Sequence, residues 1–223
     1  MNKLIRKRLL FSHLSHTYIC KLDIIVINSS FPLLKIIEKK FQNHKKNHMP
    51  KRRKSHLKVN ADYLPARILL FRHAEKPTDD KSDPNLNERG YSRAGAIPPF
   101  YYSVFKNADR IYATANTPSS KRPYETALPL ANAYNVKIND NYGKDQYGNL
   151  AKDLFNDSTM QGKTVVIFWH HGELANFVQA LGGPKVDKWS KKVYDRVWSL
   201  TYNDGKVLFE DLPQRLLFGD SSH

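Results

Sequence analysis

The sequence predicts an α/β domain, a three-layer sandwich with a mostly parallel central sheet and an antiparallel element near the C-terminus. Two apolar runs, residues 68–71 and 163–169, are too short for typical helices and suit central strands that are covered on both faces. Segments with a helical pattern alternate with the strands, which is the order expected of an α/β sandwich. Near the C-terminus, two further strands are joined by Asn203-Asp204-Gly205 and predict a β-hairpin.

The remaining elements are set by short apolar runs between turn-forming or charged residues. The predicted strands cover residues 68–71, 110–114, 136–138, 163–169, 197–202 and 206–210. The predicted helices begin near residues 86, 122, 149 and 172, the last of them ending at Gly182-Gly183. Pro98 and Pro99 are expected to disturb the first helix, and Pro129 is expected to kink or shorten the second.

The formal charge of +15 belongs to the N-terminal quarter of the chain. Residues 1–60 hold 15 Lys and Arg against 2 Asp and Glu, whereas residues 61–223 hold 21 against 19. We therefore interpret residues 1–60 as a basic extension without ordered structure, residues 61–211 as the folded domain and residues 212–223 as a C-terminal tail. In an alternative interpretation the protein starts at Met49, and the first 48 residues are a reading-frame extension.

The extension carries a basic cluster over residues 45–58, centred on residues 51–54. Such a cluster suits contact with nucleic acid or an anionic membrane, but a solvated leader is the interpretation we favour. No run of 18 apolar residues exists, so no transmembrane segment is predicted. The single cysteine, Cys20, excludes a disulfide within the chain and a Cys-based metal site, which agrees with a reducing, cytoplasmic compartment.

Histidines and arginines follow three of the predicted strands. Arg72-His73 ends one strand, His170-His171 ends another, and Arg122 begins the helix after a third. Ligand sites of open α/β sheets lie at the carboxyl ends of parallel strands, so these side chains are expected to form a compact cationic pocket for one phosphoryl group. Arginine matches phosphate oxygens with two parallel hydrogen bonds, and the helix that Gly172 opens adds backbone N–H groups.

Other interpretations of the histidines have less support. The sequence contains neither His-Glu-x-x-His nor a carboxylate cluster at ligand spacing, so a metal site is not predicted. No Gly-rich phosphate loop or dinucleotide fingerprint is present. For His170 alone a structural role is favoured, whereas His73 and His171 together with both arginines favour a functional site.

Four segments in this order resemble the histidine phosphatase superfamily, which has the phosphoglycerate-mutase-like fold. They are Leu-Phe-Arg-His-Ala-Glu at 70–75, Leu-Asn-Glu-Arg-Gly at 86–90, Arg-Pro-Tyr-Glu-Thr at 122–126 and Phe-Trp-His-His-Gly at 168–172. The resemblance covers about residues 66–211 and implies that this domain is catalytic. It departs from the family's pattern before Arg122, where the loop is one residue longer than usual.

The resemblance implies a phosphomonoester hydrolase in which His73 is the nucleophile and is transiently phosphorylated. Arg72, Arg122 and His171 would hold the phosphoryl oxygens, with no metal and no organic cofactor, and the substrate would be a phosphorylated small molecule or a phosphoprotein. Lys76-Pro77-Thr78 replaces the Ser and Asn of the mutase-type motif, which favours hydrolysis. A mutase, a phosphohistidine-protein phosphatase and a non-catalytic anion-binding protein remain alternatives.

The acid that protonates the leaving oxygen has four candidates, Glu75, Glu125, Asp145 and Glu173. Glu173 resembles the proton donor of the inositol-polyphosphate phosphatase branch, although it would also complement the dipole of its helix, which favours the ionised form. We expect Glu125 to orient Arg122 and Glu75 to pair with Lys76 or a pocket arginine. Glu173 is therefore either the acid or only a complement to the helix dipole, and Asp145 is the alternative acid.

Overall fold

The computed structural model of the chain describes residues 63–220. The basic extension predicted over residues 1–60, with its cluster at 45–58 and Cys20, lies outside the described residues. Within the described range, no helix is long and apolar enough to cross a membrane.

Six strands of the described range form one mixed sheet. They are β1 (Arg67–Arg72), β2 (Arg110–Thr114), β3 (Ile138–Tyr142), β4 (Thr164–Trp169), β5 (Arg196–Asn203) and β6 (Lys206–Pro213). Their order across the sheet is β3-β2-β4-β1-β5-β6. The first four strands are parallel to one another, whereas β5 and β6 run antiparallel to their neighbours. The predicted mostly parallel sheet with an antiparallel element near the C-terminus is confirmed.

Four α-helices between residues 63 and 220 cover the two faces of the sheet. They are α1 (Glu88–Val104), α2 (Arg122–Tyr134), α3 (Tyr147–Asn156) and α4 (His171–Ala180). Alternate side chains of β1 point to opposite faces: Ile68 and Leu70 pack with α3 and α4, while Leu69 and Phe71 pack with α1 and α2. All four side chains are fully buried, and burial of each stabilises the fold by roughly 1.5–3 kcal/mol. Burial on both faces is why β1 is apolar throughout rather than alternating.

Both helices continue past their prolines, so the expected shortening at Pro129 does not occur. The first helix runs through Pro98 and Pro99 to Val104, because Ile97 and Tyr101 on either side of the pair are buried in the core. Pro98 and Pro99 leave the carbonyls of Ala94 and Gly95 without their helical donors; Gly95 is exposed, so water can bind its carbonyl, whereas Ala94 is buried. Likewise, α2 continues past Pro129 to Tyr134.

Two further boundaries differ from the predicted ones. The third strand was expected at residues 136–138 but covers Ile138–Tyr142, since pairing with β2 at the edge of the sheet outweighs the low strand propensity of its polar residues. At the other edge, β6 continues to Pro213, so residues 212–223 begin inside the sheet. Their described part packs back on α1 through an ion pair between Asp220 Oδ1 and Arg93 Nη2 at 2.6 Å.

Candidate active site

The two strand ends that carry histidine are direct neighbours. Because β1 and β4 are parallel with Arg72 opposite Trp169, both strands end at the same edge of the sheet. The N–H of His73 donates to the carbonyl of Trp169 at 3.0 Å, one step beyond the last paired residues. The ring centroids of His73 and His170 consequently lie 5.3 Å apart.

A cavity of about 220 Å³ opens at this edge of the sheet. Its lining residues, with the exception of one glycine, are all cationic or titratable: Arg72, His73, Lys76, Arg122, Lys144, His170, His171, Gly172 and Glu173. The structure thus brings together the five residues that the sequence predicted for the site, Arg72, His73, Arg122, His171 and Glu173. The arrangement suits a small anion.

His73 is held as a neutral ring with a defined tautomer. Its Nδ1 lies 2.7 Å from the carbonyl oxygen of Ala74. A carbonyl only accepts, so Nδ1 carries the proton and Nε2 carries the lone pair. Burial, and next the charge of Arg72, hold the pKa of His73 well below its ordinary value. The loop itself is tied to α2, because the N–H of Ala74 donates to Thr126 Oγ1 at 2.9 Å.

Arg72 is buried and fixed by backbone groups of the loop before β5. Its Nη1 donates to the carbonyls of Val193 at 2.7 Å, Lys191 at 3.0 Å and Ser190 at 3.3 Å. The ring of Tyr194 covers the guanidinium, with its centroid 3.7 Å from the central carbon. The Nε atom, in contrast, is buried and has no hydrogen-bond partner among the described residues.

Arg122 and His171 each begin a helix and each leave a buried nitrogen unpaired. Arg122 donates from Nη1 to the carbonyl of Asp83 at 3.0 Å and from Nη2 to that of Ser119 at 3.3 Å. Its Nε and the Nδ1 of His171 have no hydrogen-bond partner within residues 63–220. Burial lowers the pKa of His171, and the charges of Arg72 and Lys76 lower it further.

His170 has a polar partner of its own. Its Nε2 lies 3.3 Å from Thr114 Oγ1 at the end of β2, and its backbone caps α4. Burial, then the charges of Arg122 and Lys144, lower the pKa of His170 to about 4. The contact fits the structural role that the sequence analysis favours for this residue.

Glu173 is the one carboxylate of the described chain that lines the cavity. It lies in the first turn of α4 and is half-buried. Burial raises its pKa, and the charge of Lys144 offsets this rise in part. The helix start was expected to favour the ionised form, whereas burial acts in the opposite direction on the pKa of Glu173. Asp145, the alternative acid, is exposed and is not among the lining residues.

The other two carboxylates have partners that differ from the expected ones. Glu75 was expected to pair with Lys76 or a pocket arginine, but its carboxylate binds Arg93, with Nη2 at 2.7 Å, and Arg89, with Nε at 3.3 Å. Both arginines belong to α1, which packs against the loop that follows His73. Glu125 was expected to orient Arg122, but its Oε2 accepts from the N–H of Leu86 at 2.9 Å.

Sequence reasoning missed Lys76, Lys144 and the loop that holds Arg72. Lys76 directly follows the first histidine motif, and its place in the sequence could have indicated that it lines the site. Lys144 begins a 3₁₀ turn, Lys144–Gln146, and its carbonyl accepts from Trp169 Nε1 at 2.9 Å. No sequence signal marks this turn or the carbonyls of residues 190–193, because any residue supplies a carbonyl.

Metal ligands are not grouped at this edge of the sheet. Within residues 63–220, no three or more His, Cys, Asp or Glu side chains are placed to hold a metal ion together. Arg72, Lys76, Arg122 and Lys144 of the described chain line the cavity together with one carboxylate, Glu173, and an anion is the ligand that such a lining attracts.

No protein-family model matches the sequence, and a search of curated proteins finds no significant match. Solved structures do match. The protein histidine phosphatase SixA, solved with tungstate, aligns at a TM-score of 0.51 and 14% identity over 66% of this chain and 97% of SixA. A phosphoglycerate mutase from Plasmodium falciparum aligns at 0.47, with 15% identity over 70% and 97% of the two chains. A phosphoserine phosphatase variant from Entamoeba histolytica aligns at 0.46, with 13% identity over 68% and 99%.

The likeness to SixA shows a shared fold and confirms the predicted architecture. At such low identity the residues of the site have to be argued from this chain's own geometry.

Proposed function

We propose that this protein is a histidine phosphatase, a phosphomonoester hydrolase that passes the phosphoryl group of its substrate through His73 to water. The observation that carries the proposal is the set of unpaired nitrogens at the cavity: Arg72 Nε, Arg122 Nε and His171 Nδ1. Buried polar atoms are normally hydrogen-bonded, so three unpaired ones around a single cavity call for a ligand that completes them. A phosphoryl group offers the oxygens for this purpose.

In the first step the lone pair of His73 Nε2 attacks phosphorus. The P–N bond forms while the bond from phosphorus to the leaving oxygen breaks. The low pKa of His73 keeps the ring neutral at physiological pH, and the hydrogen bond from Nδ1 to Ala74 keeps the lone pair on Nε2. Arg72, Arg122 and His171 bind the non-bridging oxygens and stabilise the charge of the transition state.

Glu173 is the group we assign to proton transfer in both steps. Its carboxyl group gives a proton to the leaving oxygen, and the resulting carboxylate then takes a proton from the water that attacks phosphohistidine. The P–N bond breaks and inorganic phosphate leaves. The raised pKa of Glu173 supports this assignment, because a carboxyl group with a higher pKa is protonated more often near neutral pH.

The alternatives use the same residues, and they diverge from the proposed hydrolase in the source or the fate of the phosphoryl group. A phosphoglycerate-type mutase returns the phosphoryl group to a hydroxyl of the substrate, and a phosphohistidine-protein phosphatase takes its phosphoryl group from a protein. A non-catalytic anion-binding protein forms no phosphohistidine. Release of inorganic phosphate from phosphomonoesters therefore separates the proposed hydrolase from the mutase, which returns the phosphoryl group to its substrate, and from the anion-binding protein, which releases none.

The test measures hydrolysis of nitrophenyl phosphate by the full chain, with and without a chelator. We expect activity that the chelator leaves unchanged, and loss of roughly a thousandfold or more of kcat in His73→Ala, as when a nucleophile is deleted. His170→Ala is the matched control, since it removes the neighbouring ring and should cost much less. Equal losses in both variants, or activity only with a divalent metal ion, would overturn the proposal.

The substrate we propose is a phosphorylated small molecule or a phosphoprotein, and the compartment is the cytoplasm. The lone cysteine of the sequence supports a reducing environment. Contact of residues 45–58 with nucleic acid or an anionic membrane remains the less favoured prediction, and those residues lie outside the described part of the chain.

A further inference from the structure

The cavity holds more positive charge than one phosphoryl group uses. Arg72, Arg122 and His171 account for the non-bridging oxygens in the proposed function. Lys76 and Lys144 line the same cavity and are left without an assigned partner. No apolar side chain of the described chain is among the lining residues. The part of the substrate beyond its phosphoryl group therefore meets charged side chains in the cavity and not hydrophobic ones.

Both lysines stand on backbone that is held in place. The carbonyl of Lys76 accepts from Asn87 Nδ2 at 3.1 Å, and the preceding residue, Glu75, is bound by Arg93. The carbonyl of Lys144 accepts from the indole N–H of the buried Trp169. Anchored backbone limits where each ammonium group can reach and lowers the cost of ordering it on a ligand.

Neither ammonium group forms an ion pair with a described carboxylate. None of the six ion pairs found within residues 63–220 includes Lys76 or Lys144. Glu173 is near enough for Lys144 to offset part of its raised pKa, but the two do not form an ion pair. Lys76 is near enough to His171 that, after burial and the charge of Arg72, its charge lowers the pKa of His171.

We propose that the substrate carries a second anionic group, a carboxylate or a second phosphate, which Lys76 and Lys144 bind while the phosphoryl group lies at His73. This inference rests on the proposed function and specifies its substrate class. The two lysines are then specificity-determining residues, because they distinguish a phosphorylated acid or a bisphosphate from a phosphorylated neutral alcohol.

A series of phosphomonoesters that differ in the charge of their second group tests this directly. Phosphoethanolamine carries a cation there, glycerol 3-phosphate no charge, 3-phosphoglycerate a carboxylate and propanediol 1,3-bisphosphate a second phosphate. We expect kcat/KM to rise along the series, with 3-phosphoglycerate about tenfold or more above glycerol 3-phosphate, the usual value of a hydrogen bond to a charged group. The last two substrates distinguish the two sources of negative charge.

Lys76→Met and Lys144→Met remove the charge and keep an aliphatic side chain of similar length. Each should lower kcat/KM for 3-phosphoglycerate about tenfold more than it lowers that for phosphoethanolamine. Lys206→Met, at the exposed first residue of β6, is the control and should leave the whole series unchanged. Uniform losses at every substrate would mean that the lysines only attract anions at long range, and would overturn the proposal.

Binding of a second anionic group can also be measured without catalysis. Methylenediphosphonate and methylphosphonate share one phosphonate group and are not hydrolysed, so calorimetry compares their binding alone. We expect the diphosphonate to bind about tenfold more tightly, and this preference to disappear in the Lys76→Met, Lys144→Met double variant. If no phosphomonoester is hydrolysed, the proposed function fails, and equal binding of both phosphonates separately refutes the second anionic group.

Discussion

The ion-pair network behind the candidate site gives a stability prediction with a defined pH dependence. Arg93 of α1 lies between Glu75, two residues after His73, and Asp220 at the C-terminal end of the described chain. Its Nη2 is 2.7 Å from Glu75 and 2.6 Å from Asp220, and the side chains of Arg93 and Asp220 are only 3% and 4% exposed. The network therefore fastens the C-terminal segment to the loop that carries the proposed nucleophile.

The perturbation is Asp220→Asn, which removes the charge and keeps the shape. Burial alone would raise the pKa of Asp220, but the hydrogen bonds from Arg93 and from the N–H groups of Leu217 and Leu216 outweigh it and lower the pKa from 3.8 to about 2. Such a shift corresponds to about 2 kcal/mol of stability. Because the segment lies at the surface and solvent screens part of the interaction, we expect a loss of about 1–2 kcal/mol.

The sign of the pH dependence follows from the lowered pKa. The stabilisation by Asp220 is complete above its unfolded pKa of 3.8 and is lost as the pH falls toward 2. The difference in unfolding free energy between the native chain and Asp220→Asn should therefore be constant from roughly pH 5 to 8 and shrink below pH 4. At neutral pH we expect a Tm lower by roughly 2–8 °C.

Chemical denaturation at several pH values measures this difference. Asp211→Asn is the matched control, because Asp211 forms an equally short ion pair with Arg196, at 2.7 Å, but its side chain is 44% exposed. An exposed pair contributes little, so the control should lose less than about 1 kcal/mol. Equal losses in both variants, or a loss for Asp220→Asn that does not change between pH 7 and pH 3, would refute the reasoning.

Two further predictions concern the acid and the N-terminal extension. Glu173→Gln should slow hydrolysis of glycerol 3-phosphate by about 100-fold or more. It should slow hydrolysis of nitrophenyl phosphate far less, because that leaving group needs little protonation. Equal slowing of both esters, or a similar effect of the control Asp145→Asn, would reject Glu173 as the acid. A chain that starts at Met49 should keep kcat within a factor of about two, while any salt-sensitive binding to nucleic acid or anionic lipid weakens. A folded truncated chain without activity would show that the extension helps to build the site.

The central part of the fold could be predicted because short segments of the sequence show which strands are buried and where they end. Burial on both faces leaves a continuous apolar run in β1 and β4, and each run ends abruptly in Arg72-His73 or His170-His171. Parallel pairing then requires these ends to meet, without any detail of the loops. The strands and the helix starts that carry the site accordingly lie close to where the pattern of residues indicates.

Other features depend on contacts that the sequence does not mark. Pro98 and Pro99 argue against a helix locally, yet the core contacts of Ile97 and Tyr101 keep α1 intact. The polar residues of β3 form a strand only because β2 offers an edge.

The partners of the site residues were similarly hidden. The carbonyl of Ala74 that fixes the tautomer of His73, and the carbonyls that hold Arg72, belong to the backbone, which every sequence supplies equally. Glu125 lies one turn from Arg122 along α2, and this proximity in sequence suggested a contact. The packing of the loop before α1 instead brings the N–H of Leu86 to that carboxylate.

Phosphorylation of His73 is the central step of the proposed reaction. Rapid quenching of the full chain with a ³²P-labelled phosphomonoester should trap a phosphoenzyme that is labile to acid and stable to alkali, and the label should map to the peptide that contains His73. His73→Ala should trap none, whereas Glu173→Gln should still form the phosphoenzyme from nitrophenyl phosphate. Hydrolysis without any trapped label, or a label that persists in His73→Ala, would contradict the proposed mechanism.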